Sequence, residues 1–312
     1  MTALPFVSVI VPAFNEERNI GAALEALCSQ TYARDRYELI VVDNGSTDRT
    51  AEVVGQFDVR YVYENRLRGD AVRNAGIACA RGDLVAFTDA DDMADARWLQ
   101  HMAQGWEDPS VGGRKGLNIY FWDTPPDRPE AAGLQALARE ESLLLKTLPF
   151  CVGTNNVVYR REVLLALGGF DPRLLAGGDL FLAWRVINEL GLRIPLNAHA
   201  LVFVRNRNRT TAGLRHALRT GWTVARLRRL MDRDGNALAI QNLAARLRSL
   251  TLTSAKALNP NFGPRRALCD AFESCAYAAG LGLEMLVKNG VSREFMWPRN
   301  VFDSHSPSGS GR

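Results

Sequence analysis

Two aspartates separated by a single residue, Asp89 and Asp91, are the side chains in this sequence best suited to hold a divalent cation. They follow the apolar run 84–87, so we expect them at the end of a buried strand. Carboxylates in that position converge on Mg²⁺ or Mn²⁺, which proteins usually hold with one or two carboxylates and the phosphates of a ligand. Such a metal would neutralise a departing diphosphate. Because the pattern is common by chance, its meaning depends on its surroundings.

The elements that position these aspartates are predicted by alternating strand and helix patterns in the first hundred residues. Short apolar runs predict strands over residues 7–11, 38–42, 59–63 and 84–88. A helix is expected over 70–80, between the last two strands. This alternation predicts an α/β fold with a mostly parallel central sheet flanked by helices.

Polar clusters follow three of these strands, at residues 12–17, 43–48 and 89–92. Each cluster also has the composition of a turn or a helix cap, which is the alternative reading of any one of them. In parallel sheets, however, ligands bind beyond the carboxyl ends of the strands. Three polar clusters at equivalent positions therefore predict one shared binding site.

The second half of the chain has a looser pattern. Prolines predict a loop over 122–129, and regular patterns predict the elements that follow. These are a helix over 129–147, a strand over 156–159, helices over 161–167 and 179–190, and a strand over 199–204. Beyond residue 213 the pattern is mainly helical until 304–312, a short tail rich in Ser and Gly that we expect to be disordered.

Composition places the chain among ordinary globular proteins, with 312 residues, 47% of them hydrophobic and 23% charged. A net charge of +4 suits an anionic ligand, and we expect no nucleic-acid partner. The five cysteines are odd in number and lack metal-ligand spacing, which favours a reduced, cytoplasmic protein. No signal peptide and no apolar run of about 18 residues is evident, so we expect no membrane span.

Five segments together resemble family 2 glycosyltransferases and occur in the order and at the spacing typical of that family. They are 9–17 (VIVPAFNEE), 41–48 (VVDNGSTD), 73–77 (RNAGI), 87–92 (FTDADD) and 168–171 (GGFD). The resemblance covers residues 7–230. It implies the GT-A fold, with a helical C-terminal segment, and inverting transfer from a nucleoside-diphosphate sugar. UDP is the expected nucleotide.

The resemblance also divides the chain. It implies a glycosyltransferase domain over 1–212, followed by a helical region over 213–303. Within the first domain, residues 1–111 form the nucleotide-binding half and 112–212 the acceptor half.

On the donor side, the resemblance implies roles for residues in the first two polar clusters. Pro12, Ala13 and Phe14 match the segment that packs against the base and ribose, and Glu16 lies on the same loop. Asp43 matches the carboxylate that reads the base, usually uracil. Two alternatives stay open: Phe14 as a core residue, and Asp43 as a turn residue.

Other donor-site residues are implied further along the chain. Arg73 matches a basic residue near the phosphates, with a surface ion pair as its alternative. Asp89, Ala90 and Asp91 match the metal-binding triplet, and Asp91 is the stronger ligand candidate. Asn155 lies where relatives contact the donor sugar or the acceptor, although a turn at the entry to a strand explains it equally well.

The base is expected from a Glu-Asp pair that opens a helix in the family. Aligning on Arg185 puts Asp179 on that aspartate and Gly178 on the glutamate. We therefore expect Asp179 to take the proton of the acceptor hydroxyl. The missing glutamate removes a contact to the acceptor or the base, and the alternative reading of Asp179 is a helix N-cap.

An arginine-rich segment occupies 205–233, with nine arginines and one acidic residue. Arg207 and Arg209 stand where many relatives carry histidines, and a guanidinium group can clamp a diphosphate. The segment also suits peripheral contact with anionic lipid at the inner face of the membrane. A solvated basic strip, a cover over the active site and a packed helix with a charged exterior are the alternatives.

Three functions remain open on the sequence. The first is transfer of a sugar to an acceptor hydroxyl, with a lipid-linked or cell-envelope glycan precursor, as in polysaccharide biosynthesis, as the expected acceptor. The second is a polyprenyl-phosphate sugar synthase, whose phosphate acceptor needs little base catalysis. The third is a catalytically silent protein that binds nucleotide sugars.

Overall fold

The computed structural model describes residues 4–67, 69–121, 124–147, 152–174 and 177–205. All of them belong to one compact unit of the chain, Met1–Asn208. The expectations for Arg207, Arg209, the rest of the arginine-rich segment beyond Arg205, the helical region 213–303 and the tail 304–312 lie outside the described residues. The boundary at residue 212 stays a prediction.

The described residues contain eight strands that form one sheet. They are β1 (Val7–Ala13), β2 (Tyr37–Asp43), β3 (Arg60–Tyr63), β4 (Leu84–Phe87), β5 (Met93–Ala94), β6 (Gly113–Phe121), β7 (Val157–Arg160) and β8 (Leu196–Arg205). Their order across the sheet is β3-β2-β1-β4-β7-β6-β8-β5. Within this order, β3, β2, β1 and β4 are parallel to their neighbours, and β6 is parallel to β8. Strand β7 runs antiparallel to β4 and β6, and β5 runs antiparallel to β8.

Seven α-helices are found in the same parts of the chain. They are α1 (Ile20–Cys28), α2 (Thr50–Val54), α3 (Arg73–Cys79), α4 (Trp98–Met102), α5 (Ala131–Thr147), α6 (Arg161–Leu167) and α7 (Gly178–Asn188). Short 3₁₀ turns occupy Arg34–Arg36 and Gly69–Val72. Among the described residues, no helix has the length and apolar character needed to cross a membrane.

Both faces of the sheet are covered, which explains why almost every residue of β1, β2 and β4 is buried. On one face, Leu24 of α1 and Trp98 of α4 belong to the same buried cluster as the alternate residues of β1. On the other face, Ile77 of α3 and Phe170 pack with Ile10 of β1. Phe170 meets Phe87 of β4 edge-on, with ring centroids 5.5 Å apart. The expected α/β fold is confirmed.

The second half of the sheet is where the sequence patterns were least informative. The interval after residue 111 contains β6, which has no clean alternation because Lys115 and two glycines interrupt it. Its register also shifts between Gly116 and Leu117, where it pairs with β8. Further along the chain, the expected strand 156–159 is β7.

In the first half of the chain, the helix expected over 70–80 begins instead as the 3₁₀ turn Gly69–Val72.

Candidate functional site

A cavity of about 290 Å³ lies at the carboxyl ends of β1 and β4. Seven of its lining residues are those expected from the sequence to bind the nucleotide sugar: Pro12, Ala13, Phe14, Glu16, Asp89, Ala90 and Asp91. Asn44, Gly69 and Val72 complete the lining. A larger depression, of about 490 Å³, runs along α5 and contains none of the expected residues.

The loop after β1 is fixed to the loop after β2 by hydrogen bonds in both directions. The backbone N–H of Asn15 donates to Oγ of Ser46 at 2.9 Å, and the N–H of Thr47 donates to Oδ1 of Asn15 at 2.8 Å. Asn15 has φ of 54°, a left-handed conformation that asparagine tolerates. This bracing holds Phe14 in the cavity wall with 37% of the residue exposed, so the core alternative for Phe14 does not hold.

Glu16 lies on the same braced loop, and its contacts join it to two helices. Its backbone N–H donates to Oγ1 of Thr50 at the start of α2, at 2.8 Å. Its carboxylate accepts from Nδ2 of Asn19 before α1, also at 2.8 Å. Glu16 therefore both lines the cavity and fixes the turn that begins α1.

Asp43 ends β2 and is only 1% exposed. Its Oδ1 accepts from the backbone N–H of Ser46 at 2.8 Å, and its Oδ2 accepts from the Tyr61 hydroxyl at 2.7 Å. Burial, together with this carboxylate, raises the pKa of Tyr61, which keeps the phenol protonated as a donor. Asp43 is not among the cavity-lining residues, although the adjacent Asn44 is. Its role in reading a base stays a prediction.

Arg73 lies behind the triplet Asp89-Ala90-Asp91. Its Nη2 donates to Oδ1 of Asp89 at 2.7 Å, and its Nη1 donates to Oδ1 of Asp70 at 3.1 Å. Because Arg73 is only 7% exposed, the surface-ion-pair alternative does not hold. In this structure Arg73 positions Asp89 and does not line the cavity itself. Its expected contact with phosphates remains a prediction.

The aspartates after β4 form a crowded group. Burial raises the pKa of Asp89, and repulsion from Asp91 and Asp70 adds to the effect, while Arg73 opposes it. Burial and repulsion from Asp89 and Asp91 also raise the pKa of Asp92 to about 8. Excess negative charge of this kind attracts a cation. Asp92 ends the segment 87–92, and the sequence alone assigns it no role.

The chemistry of this group fits a divalent metal that is shared with a ligand. Asp89 and Asp91 both line the cavity, and Asp91 is 8% exposed. Within the described parts of the chain, no three His, Cys, Asp or Glu side chains gather to hold a metal by themselves. Mg²⁺ and Mn²⁺ sites of the predicted kind take one or two carboxylates and complete the coordination with phosphates and water.

Asn155 is connected to the aspartate group and does not line the cavity. Its side chain hydrogen-bonds Asp92, and its Oδ1 accepts from Nδ2 of Asn118 at 3.3 Å. Asp92 also accepts from the backbone N–H of Arg205 at 3.2 Å. Asn155 thus helps fix the end of the triplet loop, and its contact with a sugar or acceptor stays a prediction.

Asp179 lies in the first turn of α7, where it is partly buried. The N-cap position is Gly177, so the N-cap alternative for Asp179 does not hold. Burial, with repulsion from Asp70 as the next cause, raises the pKa of Asp179 to about 7. Asp179 is not among the residues lining the cavity. The residue before it, Gly178, donates its N–H to Asp70, which shares Arg73 with Asp89.

Two of the sequence motifs serve to join elements. Nδ2 of Asn74 donates to the carbonyl oxygen of Phe170 at 2.8 Å, and the N–H of Phe170 donates back to Oδ1 of Asn74 at 2.8 Å. Gly169 allows this close approach, because a Cβ atom there would collide with Oδ1 of Asn74, and Gly168 ends α6 with φ of 69°. The RNAGI and GGFD segments therefore dock α3 against the connection between α6 and α7.

Comparison with known proteins extends this picture. The chain matches the family model described as "Glycosyl transferase family 2" over residues 8–168. Glycosyltransferase AglE of Haloferax volcanii is 34% identical over 188 residues, which cover 57% of this chain and 60% of that relative. The chain therefore aligns with about three fifths of that relative's length.

Solved structures share the fold. A mannosyltransferase from Pyrobaculum calidifontis, in complex with GDP-Man and Mn²⁺, has a TM-score of 0.64 at 23% identity, covering 90% of this chain and 88% of that one. Glucosyl-3-phosphoglycerate synthase from Mycobacterium tuberculosis, in complex with UDP, has a TM-score of 0.51 at 23% identity, covering 71% and 78%. The expected GT-A arrangement is thereby confirmed.

Proposed function

The chain belongs to glycosyl transferase family 2, and on that premise we propose that it is an inverting, metal-dependent enzyme that moves a sugar from a nucleoside-diphosphate sugar to an acceptor hydroxyl. The observation that supports this most strongly is the cavity at the strand ends. There, two carboxylates suited to a metal, Asp89 and Asp91, share one space with the apolar loop segment Pro12, Ala13 and Phe14.

The donor nucleotide would lie against that loop segment. Phe14 and Pro12 offer apolar surface for a base and ribose. Asp43 lies next to the lining residue Asn44, and its carboxylate is held by Tyr61. A carboxylate oxygen in that place accepts from an N–H of the base, which suits the imide of uracil. UDP is therefore the first choice. GDP is the competitor, because the mannosyltransferase neighbour was solved with GDP-Man.

The diphosphate would lie beside Asp89 and Asp91. Arg73 engages Oδ1 of Asp89, so we assign Asp91 as the main metal ligand and Asp89 as the second. When bound, Mg²⁺ or Mn²⁺ would neutralise the charge that develops on the departing diphosphate. Arg207 and Arg209, outside the described residues, are proposed to add guanidinium contacts to the same group.

Asp179 is proposed as the base. Its carboxylate would take the proton of the acceptor hydroxyl as that oxygen attacks the anomeric carbon. The bond from that carbon to the diphosphate oxygen breaks on the opposite face, so the configuration inverts and the nucleoside diphosphate leaves. A carboxyl with a pKa of about 7 is matched to this task near neutral pH.

We propose a lipid-linked or cell-envelope glycan precursor as the acceptor. The enzyme would then act in the cytoplasm, with the arginine-rich segment 205–233 resting on the inner face of the membrane. The family resemblance supports this acceptor, and the charge of that segment supports contact with the membrane.

Product analysis tests the proposal and its two rivals together. The chain is incubated with UDP- and GDP-sugars, Mn²⁺, and acceptors that carry either a hydroxyl or a polyprenyl phosphate. We expect inverted transfer to a hydroxyl, which Asp179→Asn abolishes. Transfer to the phosphate that Asp179→Asn leaves intact would identify a polyprenyl-phosphate sugar synthase. Binding of UDP with neither hydrolysis nor transfer would identify a silent binding protein.

A further inference from the structure

Asp70 occupies the space that a side chain at position 178 would need. Its Oδ2 accepts from the backbone N–H of Gly178 at 2.8 Å, across 108 residues of sequence. A Cβ atom added to Gly178 would lie 2.9 Å from Cβ of Asp70 and 3.0 Å from its Oδ2. Position 178 is also the one that aligns with the glutamate of the family's Glu-Asp pair. A carboxylate is therefore present at this place, but a different element supplies it.

We propose that Asp70 replaces the missing glutamate and acts as the positioning residue for Asp179. This inference rests on the proposed function, because it assigns Asp70 to the same proton transfer. Asp70 belongs to the 3₁₀ turn Gly69–Val72, whose Gly69 has φ of 57° and lines the cavity. The turn thus contributes one residue to the donor cavity and the next to the start of α7.

The contacts of Asp70 explain how it would position the base. One oxygen holds the first N–H of α7, which has no partner within the helix, and so fixes the turn that carries Asp179. The other accepts from Nη1 of Arg73 at 3.1 Å. Arg73 in turn holds Asp89, so the chain of contacts runs from the metal-binding triplet to the base. With only 19% of its side chain exposed, Asp70 is held firmly in this bridge.

Asp70 also acts on Asp179 through its charge. The groups that influence the Asp179 carboxyl are Asp70 and Asp89, which are negative, and Arg73, which is positive. Tyr159, packed on the sheet side, stays a neutral phenol because burial raises its pKa. Among these charges Asp70 has the largest effect, and it raises the pKa of Asp179. A higher pKa makes Asp179 a stronger base toward a hydroxyl.

A purely structural cap and a positioning residue predict different results for Asp70→Asn. The amide oxygen of asparagine still accepts from the N–H of Gly178, so a capping role alone leaves turnover and its pH profile unchanged. We expect instead that kcat falls by about tenfold, while the KM for the donor changes by less than about twofold. The acidic limb of the kcat profile should also move to lower pH, because the pKa of Asp179 falls.

Moving the carboxylate back to position 178 provides a second, independent comparison. Gly178→Glu alone should be poorly active, because its side chain collides with Asp70. Asp70→Gly alone should lose the positioning carboxylate. In Asp70→Gly/Gly178→Glu the collision is relieved and the carboxylate restored, so we expect kcat at least about tenfold above either single variant. Thermal unfolding and donor binding of each variant show which of them are folded.

Wild-type transfer is measured beside these variants, so that the two proposals fail separately. If the wild type transfers sugar, but Asp70→Asn keeps its kcat and pH profile and the double variant recovers nothing, the inference about Asp70 is overturned alone. If the wild type transfers nothing, the proposed function fails. Carboxyl ¹³C titration of Asp179 then decides the inference without turnover: a lower pKa in Asp70→Asn supports it, and an unchanged pKa overturns it.

Discussion

Nη2 of Arg73 lies 2.7 Å from Oδ1 of Asp89, and Arg73 is only 7% exposed. The first residue of α3 thereby fixes the first carboxylate of the loop after β4. The same guanidinium holds Asp70, which contacts the start of α7. Arg73 and Asp70 together therefore connect the loop after β4 with the start of α7.

Replacing Arg73 should be costly for folding. In Arg73→Met, Asp70 and Asp89 lose their shared cation, and we expect the free energy of unfolding to fall by about 3 kcal/mol, as for other broken buried pairs. Urea unfolding measures the change. Arg173→Met is the matched control, because Arg173 has an 85% exposed side chain and pairs with Asp171. Its loss should stay under about 1 kcal/mol. Equal losses in the two variants would contradict the role given to Arg73.

Asp179→Asn should separate donor binding from chemistry. An amide cannot take the acceptor's proton, so we expect kcat for transfer to fall by about 10²- to 10⁴-fold, with donor affinity near that of the wild type. Steady-state kinetics and calorimetry measure the two quantities. Glu162→Gln, in the exposed first turn of α6, is the control and should keep full activity. Wild-type turnover in Asp179→Asn would exclude this residue as the base.

The transfer rate should depend on pH through Asp179. Its pKa is raised to about 7, and only the ionised carboxylate accepts a proton. The rate should therefore be level at higher pH and fall as the pH drops through about 7, reaching a tenfold loss per unit below it. Initial rates from pH 5 to 9 at saturating donor test this. A flat profile across that range would be incompatible with Asp179 as a base of raised pKa.

Asp43→Asn should weaken recognition of the base and leave the diphosphate contacts intact. Asn is less able to accept from the imide N–H of uracil, so we expect the affinity for UDP to fall by about tenfold. Inorganic pyrophosphate with Mn²⁺ is the internal control, because it lacks the base. If Asp43→Asn lowered the affinity for UDP and the affinity for pyrophosphate by the same factor, Asp43 would not be the residue that reads the base.

The cavity beyond β1 and β4 was predictable because it depends on local rules. Polar residues that follow parallel strands meet at one edge of the sheet, so the apolar runs alone brought residues 12–17 and 89–92 together. The structure places seven of the expected residues around one cavity. Strand β6, in the stretch after residue 111, was not predictable in this way, because its charged and glycine residues hide the strand pattern.

The surroundings of Asp179 were only partly predictable. Alignment on Arg185 identified Asp179 and exposed the missing glutamate at Gly178, since both depend on neighbours in the sequence. The carboxylate of Asp70 that fills the gap belongs to a turn 108 residues earlier. No periodicity or spacing links the two positions, because their contact exists only once α7 packs against Gly69–Val72. Likewise, the burial of Arg73 follows from packing and not from its motif.

The most direct measurement is calorimetric titration of UDP- and GDP-sugars into the protein with Mn²⁺ and with chelator. We expect the wild type to bind at least one of these donors, with affinity at least about tenfold higher when Mn²⁺ is present. Asp91→Asn should lose that metal dependence. Asp58→Asn, whose carboxylate belongs to a 97% exposed side chain, should retain it. Equal donor affinity with and without Mn²⁺, unchanged in Asp91→Asn, would contradict the metal-assisted donor site.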